Sequence, residues 1–145
     1  MIKAKKKSAF EKIVEIIAHR DHSEQELRTK LTLKKFSETE IAEGLQTADD
    51  YGLMAEPTQL SCNVCEQLHR KHKGILYINQ YLKSKGLPSV APDWDKELEK
   101  AKELVFKHFS KNPPYTIEEK QDIYRYLTNR GYADQTINRV IHESV

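Results

Sequence analysis

The sequence predicts an all-α protein of three tandem three-helix units of helix-turn-helix type. Three observations carry that expectation. The first is a set of four S/T-x-x-E patterns, Ser8 to Glu11, Ser23 to Glu26, Ser37 to Glu40 and Thr116 to Glu119, each leading into apolar residues at helical spacing. In such a capping box the hydroxyl accepts the N–H of the third helical residue and the carboxylate reaches back to the N–H of the cap, so two otherwise orphaned donors are satisfied. The second is the spacing Leu27-x3-Leu31-x4-Phe36, which returns as Ile78-x3-Leu82-x4-Leu87 and as Ile123-x3-Leu127-x4-Tyr132. The third is that no pair of segments alternates with the two-residue period of neighbouring strands.

Taken in order, Ser8 opens an amphipathic helix over 8–20, after the basic stretch MIKAKKK. A second helix is expected over 23–35, where HRDHSEQELRTKL holds only two strongly apolar residues, Leu27 and Leu31, four apart on one face with Arg28, Thr29 and Lys30 turned away. The third, 37–51, carries Ile41-x3-Leu45 and stops before Gly52. A fourth over 58–73 bears the stripe Leu60, Val64 and Leu68 and ends before Gly74; a fifth over 75–85 precedes Gly86-Leu87-Pro88. Then 93–110 runs toward Asn112-Pro113-Pro114, 116–130 ends at Gly131, and 134–144 continues the phase with Ile137-x3-Ile141. Only PSVAP separates Leu87 from Asp93, and its two prolines leave room for about one helical turn at most, so the middle unit lacks a full third helix. The units are therefore 8–54, 55–92 and 93–145, joined by short turns into an elongated, curved rod.

With 38% hydrophobic and 32% charged residues in 145, the chain suits several thin cores better than one thick one. No apolar run approaches the ~18 residues of a membrane span, and the N-terminus lacks the apolar region and cleavage site of a signal peptide, so a soluble cytoplasmic protein is expected. The net charge of +2 is too small to name a partner, but its distribution is uneven: residues 37–60 hold six acids and no Lys or Arg, whereas 61–86 hold five bases and one acid.

Cys62, Cys65, His69 and His72 lie in CNVCEQLHRKHKG and bring zinc to mind. On one helix rising ~1.5 Å per residue the first and last of them stand roughly 15 Å apart, too far to close a tetrahedron. Cys65 borders the apolar stripe and reads as a small buried hydrophobe; no metal and no disulfide is expected. His19, His22, His69, His72, His108 and His142 read as solvent-exposed side chains on polar helix faces. There is no glycine-rich phosphate loop and no nucleophile and base pair, so no catalytic residue and no cofactor is nominated.

The segment IVEIIAHRDHSEQELRTKL resembles the opening repeat of the RecX family, bacterial regulatory proteins of the RecA recombinase. KKF with Ile41, Leu45 and DYGLM resembles the end of that repeat, and Gly74-x3-Ile78-x3-Leu82-x3-Gly86 resembles the second. Trp94, Ala101, Lys107-x-Phe109 and EKQDIYRYLTNRGYADQTI are similar to the third. Two departures stand out: Gln59 occupies the place of an Arg, and PSVAP fills a place where the family has room for another helix.

The resemblance implies a non-enzymatic negative regulator. It would bind the groove of the RecA nucleoprotein filament and inhibit ATP hydrolysis, strand exchange and the coprotease activity that stimulates repressor cleavage. The expected contacts are basic side chains on the second helices and on the helix entering the middle unit: Arg28, Lys30, Arg70, Lys71, Lys73, Lys83, Lys85, Arg125 and Arg130. The expected partner is the RecA filament, bound by a monomer, with weak salt-sensitive binding to single- or double-stranded DNA beside it and no membrane. The alternative is direct DNA binding by the helix-turn-helix-like units, against which stand the small net charge and the nearly base-free third helices SETEIAEGLQTADD and ADQTINRVIHES.

Overall fold

The structure, a computed structural model, describes residues 7–142. These residues form eight helices and no strand: α1 (Ala9–Ile17), α2 (Glu24–Leu33), α3 (Glu38–Asp50), α4 (Pro57–Arg70), α5 (Ile75–Ser84), α6 (Trp94–Phe109), α7 (Ile117–Asn129) and α8 (Asp134–His142). The chain forms two compact units. One comprises the residues up to Ser61 together with Ser84–Pro88, the other Cys62–Lys83 together with the residues from Ser89 onward.

Six of the eight helices start where a nearby side chain satisfies a free donor. Ser23, Ser37 and Thr116 form complete capping boxes; in the first, Ser23 Oγ accepts the Glu26 N–H at 3.1 Å and Glu26 Oε1 accepts the Ser23 N–H at 3.2 Å. Ser8 caps α1 more simply, accepting the Glu11 N–H at 3.1 Å while its own hydroxyl donates to the Glu11 carboxylate at 3.2 Å. The start of α4 has another design: Pro57 takes the first position, where a missing N–H costs nothing, and Glu56 accepts the N–H groups of Thr58 and Gln59 at 3.2 and 2.9 Å. Asp93 caps α6 through the Lys96 N–H at 3.2 Å.

In its first and third copies the repeated apolar spacing has its cause at the helix ends. The carbonyls of Leu31, Ala48, Leu68 and Leu127 accept the N–H groups of Phe36, Leu53, Lys73 and Tyr132, five residues on, at 3.0–3.2 Å. The residue before each donor has positive φ: Lys35 at 68°, Gly52 at 68°, His72 at 58° and Gly131 at 86°. This is the Schellman termination, in which the two ends of the five-residue bond bring their side chains together. It stops α2 at Leu33 and α4 at Arg70, two and three residues before the expected 35 and 73. Helix α1 also ends early, at Ile17, because the chain turns back through Ala18 and His19. The expected end of α8 at 144 lies outside the described residues.

In the first unit α1, α2 and α3 enclose Ala9, Ile13, Leu27, Leu31, Phe36, Ile41, Leu45 and Ala48. Fully burying a Leu or Ile side chain stabilises a fold by about 1.5–3 kcal/mol, and Ile13, Leu27 and Leu31 are wholly buried. The segment Ser84–Pro88 is tied to this unit: the Ser23 hydroxyl donates to the Lys85 carbonyl, Gln25 Nε2 to the Ser84 carbonyl at 2.9 Å and Ser61 Oγ to the Pro88 carbonyl at 2.8 Å.

The second unit is centred on α6, α7 and α8, with Leu98, Ala101, Leu104, Val105, Ile123, Leu127, Tyr132, Ile137, Val140 and Ile141 in one cluster. The turn between α4 and α5 is bonded to the turn between α7 and α8, Gly74 N–H to the Arg130 carbonyl and Leu76 N–H to the Gly131 carbonyl, both at 2.9 Å. The approach is so close that a Cβ at Gly74 would overlap the Gly131 backbone, and one at Gly131 would overlap Tyr77. No helix forms between Leu87 and Trp94, as the prolines predict. In its place Asn79 pairs with the extended chain, donating from Nδ2 to the Val90 carbonyl at 3.1 Å and accepting the Val90 N–H at 2.9 Å.

Candidate partner-binding surface

The nine basic residues singled out from the sequence fall in both units. Arg28, Lys30 and Lys85 belong to the first; Arg70, Lys71, Lys73, Lys83, Arg125 and Arg130 belong to the second. Several already have partners. Arg28 pairs with Glu24 at 3.0 Å, Arg125 with Asp122 at 2.6 Å, and Lys85 stands 4.0 Å from Glu26. Lys30 points its ammonium at His22 Nε2, 2.7 Å away. Lys73 lies over the Tyr77 ring at 4.7 Å and Arg130 over the Tyr126 ring at 4.9 Å. Arg70, Lys71 and Lys83 are exposed, and among the described residues no carboxylate pairs with them.

Only some of the nine come together. Arg70, Lys71 and Lys73 share the end of α4 and its turn, and the backbone bond from Gly74 brings Arg130 beside that turn. Lys71 and Lys73 sit in the turn itself, a correction to the expectation that α4 carries them. Tyr77, under the Lys73 ammonium, packs on Gly131, the residue that follows Arg130 in the chain. His108 stacks on Tyr126 at 4.3 Å between centroids.

Beneath the turn is a polar network the sequence reading missed. Glu97 and Lys100 of α6 are 1% and 6% exposed. Lys100 Nζ reaches the Lys73 carbonyl at 2.6 Å, His69 Nδ1 at 2.7 Å and Glu97 Oε2 at 2.6 Å. The Lys73 carbonyl and His69 Nδ1 accept two of its N–H donors and the Glu97 carboxylate beside it favours the ammonium, so His69, accepting on Nδ1, is a neutral ring with its proton on Nε2. The contact to Glu97 Oε2 is an ion pair whose angle falls outside a hydrogen bond. Glu97 Oε1 accepts the Ile75 N–H at 2.6 Å, and the buried Tyr132 hydroxyl donates to the His72 carbonyl at 2.8 Å.

Burial and the charge of Lys100 hold the His69 imidazole at about 4, far below its ordinary range. Burial also pulls Lys100 down, against the opposing pull of Glu97, and pushes the Tyr132 phenol up. The signal available in the sequence was weak, because a Glu and Lys three apart on a helix ordinarily form a solvated pair.

The histidines divide. His19, His108 and His142 are exposed as expected. His22 is not: at 3% exposure it donates from Nδ1 to the Arg20 carbonyl at 2.8 Å and accepts from Lys30 on Nε2, and burial lowers its pKa. His69 is half-buried in the network, and the half-buried His72 pairs with Glu103 at 2.9 Å. Cys65 is buried and Cys62 exposed, both as free thiols. Among the described residues no three His, Cys, Asp or Glu side chains are placed to hold a metal ion, and no helix is long and apolar enough to cross a membrane. The first unit also carries a groove of about 470 Å³ whose walls include Leu45, Met54, Pro57, Leu60 and Leu87, with Arg28 and Asp49 among its polar residues.

Comparison with known proteins follows the same outline. Residues 9–46 match the family model described as RecX, first three-helix domain. The regulatory protein RecX of Haemophilus influenzae is 33% identical over 144 residues, covering 94% of each chain; that of Chlorobaculum tepidum is 28% identical over 145 residues, covering 97% of this chain and 91% of its own. A crystal structure of regulatory protein RecX superposes with a TM-score of 0.76 at 19% identity, over 91% of this chain and 70% of that one. RecX from Lactobacillus salivarius gives 0.74 at 17% identity, over 91% of both, and these two likenesses bear on the fold alone. A relative one-third identical along almost the whole of both chains shows that this chain belongs to the RecX family.

Proposed function

We propose that this chain is a non-enzymatic negative regulator of the RecA recombinase, acting in the cytoplasm as a monomer. It binds the groove of the RecA nucleoprotein filament and inhibits ATP hydrolysis, strand exchange and coprotease activity. The divisions 8–54, 55–92 and 93–145 are its contact units, and basic side chains from among Arg28, Lys30, Arg70, Lys71, Lys73, Lys83, Lys85, Arg125 and Arg130 meet the filament. The observation that carries this reading is family membership along nearly the whole chain. The exposed bases Arg70, Lys71 and Lys83 support it, since charges not already paired cost least to bring against an anionic surface. Several weak contacts along one polymer also sum through effective concentration. Helix α3, with Glu38, Glu40, Glu43, Asp49 and Asp50 and no base, is a poor recognition helix for DNA.

The test is titration of the protein into preformed RecA filaments on single-stranded DNA while ATP hydrolysis is followed. Hydrolysis should fall as the protein is added; unchanged hydrolysis and strand exchange at several-fold excess overturns the reading. Reversing Arg70, Lys71 and Lys83 together should weaken filament binding and flatten its salt dependence, by about 0.6–3 kcal/mol if each exposed charge is worth its usual ~0.2–1 kcal/mol. Reversing Glu38 and Glu43 is the control and should do less per charge reversed. Glu40 is left out of that control because its carboxylate accepts the Ser37 N–H and caps α3.

A further inference from the structure

We infer that the buried pair Glu97 and Lys100, with Tyr132, acts as a positioning device that pre-organises the basic turn at residues 70–75 for its partner. This inference rests on the proposed filament binding and adds the means by which that surface is held ready.

The backbone of the turn is bound from below. Tyr132 donates to the His72 carbonyl, Lys100 to the Lys73 carbonyl, Gly74 donates to Arg130, Ile75 to Glu97 and Leu76 to Gly131. Four consecutive residues, His72 to Ile75, each have a backbone group fixed by α6 or by the chain between α7 and α8. Their neighbours Arg70 and Lys71 and the ammonium of Lys73 remain on the outer side, where none of these bonds uses them.

The chemistry chosen for the clamp is informative. A buried ion pair is costly to desolvate, and a hydrophobic pair of like volume often gives an equally stable fold. A chain that needed only a filled core at this position has no use for Glu97 and Lys100. What apolar side chains cannot do is bond the Lys73 carbonyl, which lies between helices, and the Ile75 N–H, which as the first of α5 has no partner within its helix. The pair is therefore matched to the conformation of the turn. A surface fixed before binding avoids the ordering cost of several long side chains and the loop that bears them.

The test uses the full chain carrying Glu97→Met with Lys100→Met, a pair that leaves no buried charge and no acceptor for the Ile75 N–H, and Tyr132→Phe as a second variant that removes one bond from the same turn. Circular dichroism should show the helix content of the parent. Amide hydrogen exchange at Lys73, Gly74 and Ile75 should accelerate at least ten-fold over that in α7 and α8. Binding to RecA filaments should weaken roughly ten-fold, the cost of ordering a few side chains, with its salt slope unchanged because the outward charges are all present.

Two results overturn the inference. One is unchanged exchange at these amides, which would show that the pair does not hold the turn. The other is accelerated exchange with parental filament affinity, which would show that turn order does not matter to binding. If the parent chain itself fails to bind filaments, the functional reading fails, whereas the exchange measurement still decides whether the clamp exists.

Discussion

Lys35 and Gly131 occupy the same slot at the ends of α2 and α7, and the structure predicts effects of opposite sign for changing them. Both have positive φ, 68° and 86°, and both precede the residue that closes a five-residue bond, Phe36 to Leu31 and Tyr132 to Leu127. An L-residue in this region costs about 1–2 kcal/mol relative to glycine. Replacing Lys35 with glycine removes that cost but raises the entropy of the unfolded chain by an amount worth about 0.4–1 kcal/mol. Lys35→Gly should therefore stabilise by about 0.5–1 kcal/mol, or ~1–4 °C in melting temperature for a chain of this size. At Gly131 the φ cost is joined by overlap of a new Cβ with Tyr77, so Gly131→Ala should destabilise by about 2–4 kcal/mol. Urea denaturation followed by circular dichroism measures both. A Lys35→Gly protein with a lower midpoint than the parent, or a Gly131→Ala protein with an unchanged one, would refute the assignment of this slot as the shared terminator.

Three further outcomes follow from particular contacts. Asn79→Ala removes both bonds to Val90, should cost about 1–2 kcal/mol, and should make residues 88–92 the first point of cleavage in limited proteolysis. Glu119 is held at about 2 by its bond to Lys111 and by the Thr116 N–H, so its folded value lies below the ordinary 4.5. The stability it adds is present above pH 4.5 and lost as pH falls toward 2, and a carboxyl NMR titration should move upward in Lys111→Ala. His69 is held at about 4 against an ordinary 6.5, so between those values the unfolded chain binds a proton that the folded one refuses and stability falls as pH drops. Its ring resonances should stay those of a neutral imidazole from pH 5.5 to 8, and a midpoint near 6.5 would contradict the buried contact with Lys100.

Much of the fold was legible because its signals are local. A Ser or Thr three residues before Glu needs no tertiary partner to start a helix, and all four such sites do so. The Leu-x4-Phe spacing was legible as a repeat, although its cause in the first and third copies, a hydrogen bond across five residues, was signalled by a glycine only at Gly131 and hidden at Lys35. The network under the basic turn was not legible. Glu97 and Lys100 are buried because Lys73 and Ile75, more than twenty residues earlier, come to lie against α6, and no pattern within α6 records that. The same holds for His22, whose burial depends on Lys30 and the turn at Arg20 rather than on the face of any helix. Pairing of Arg28 and Arg125 with nearby acids likewise separates bases that the sequence alone treats as equivalent.

The shared helix terminator also governs where this chain can change length. Because one hydrogen bond fixes the four residues between Leu31 and Phe36, and again those between Leu127 and Tyr132, an inserted residue there would move an apolar anchor out of its core. The stretch between Ser110 and Thr116 has no such bond spanning it and is mostly exposed, so it can gain or lose residues while α6 and α7 keep their register. Variation in length among descendants of this sequence should accordingly collect in that stretch, while the five-residue closures stay constant even where the residue at their positive-φ position does not.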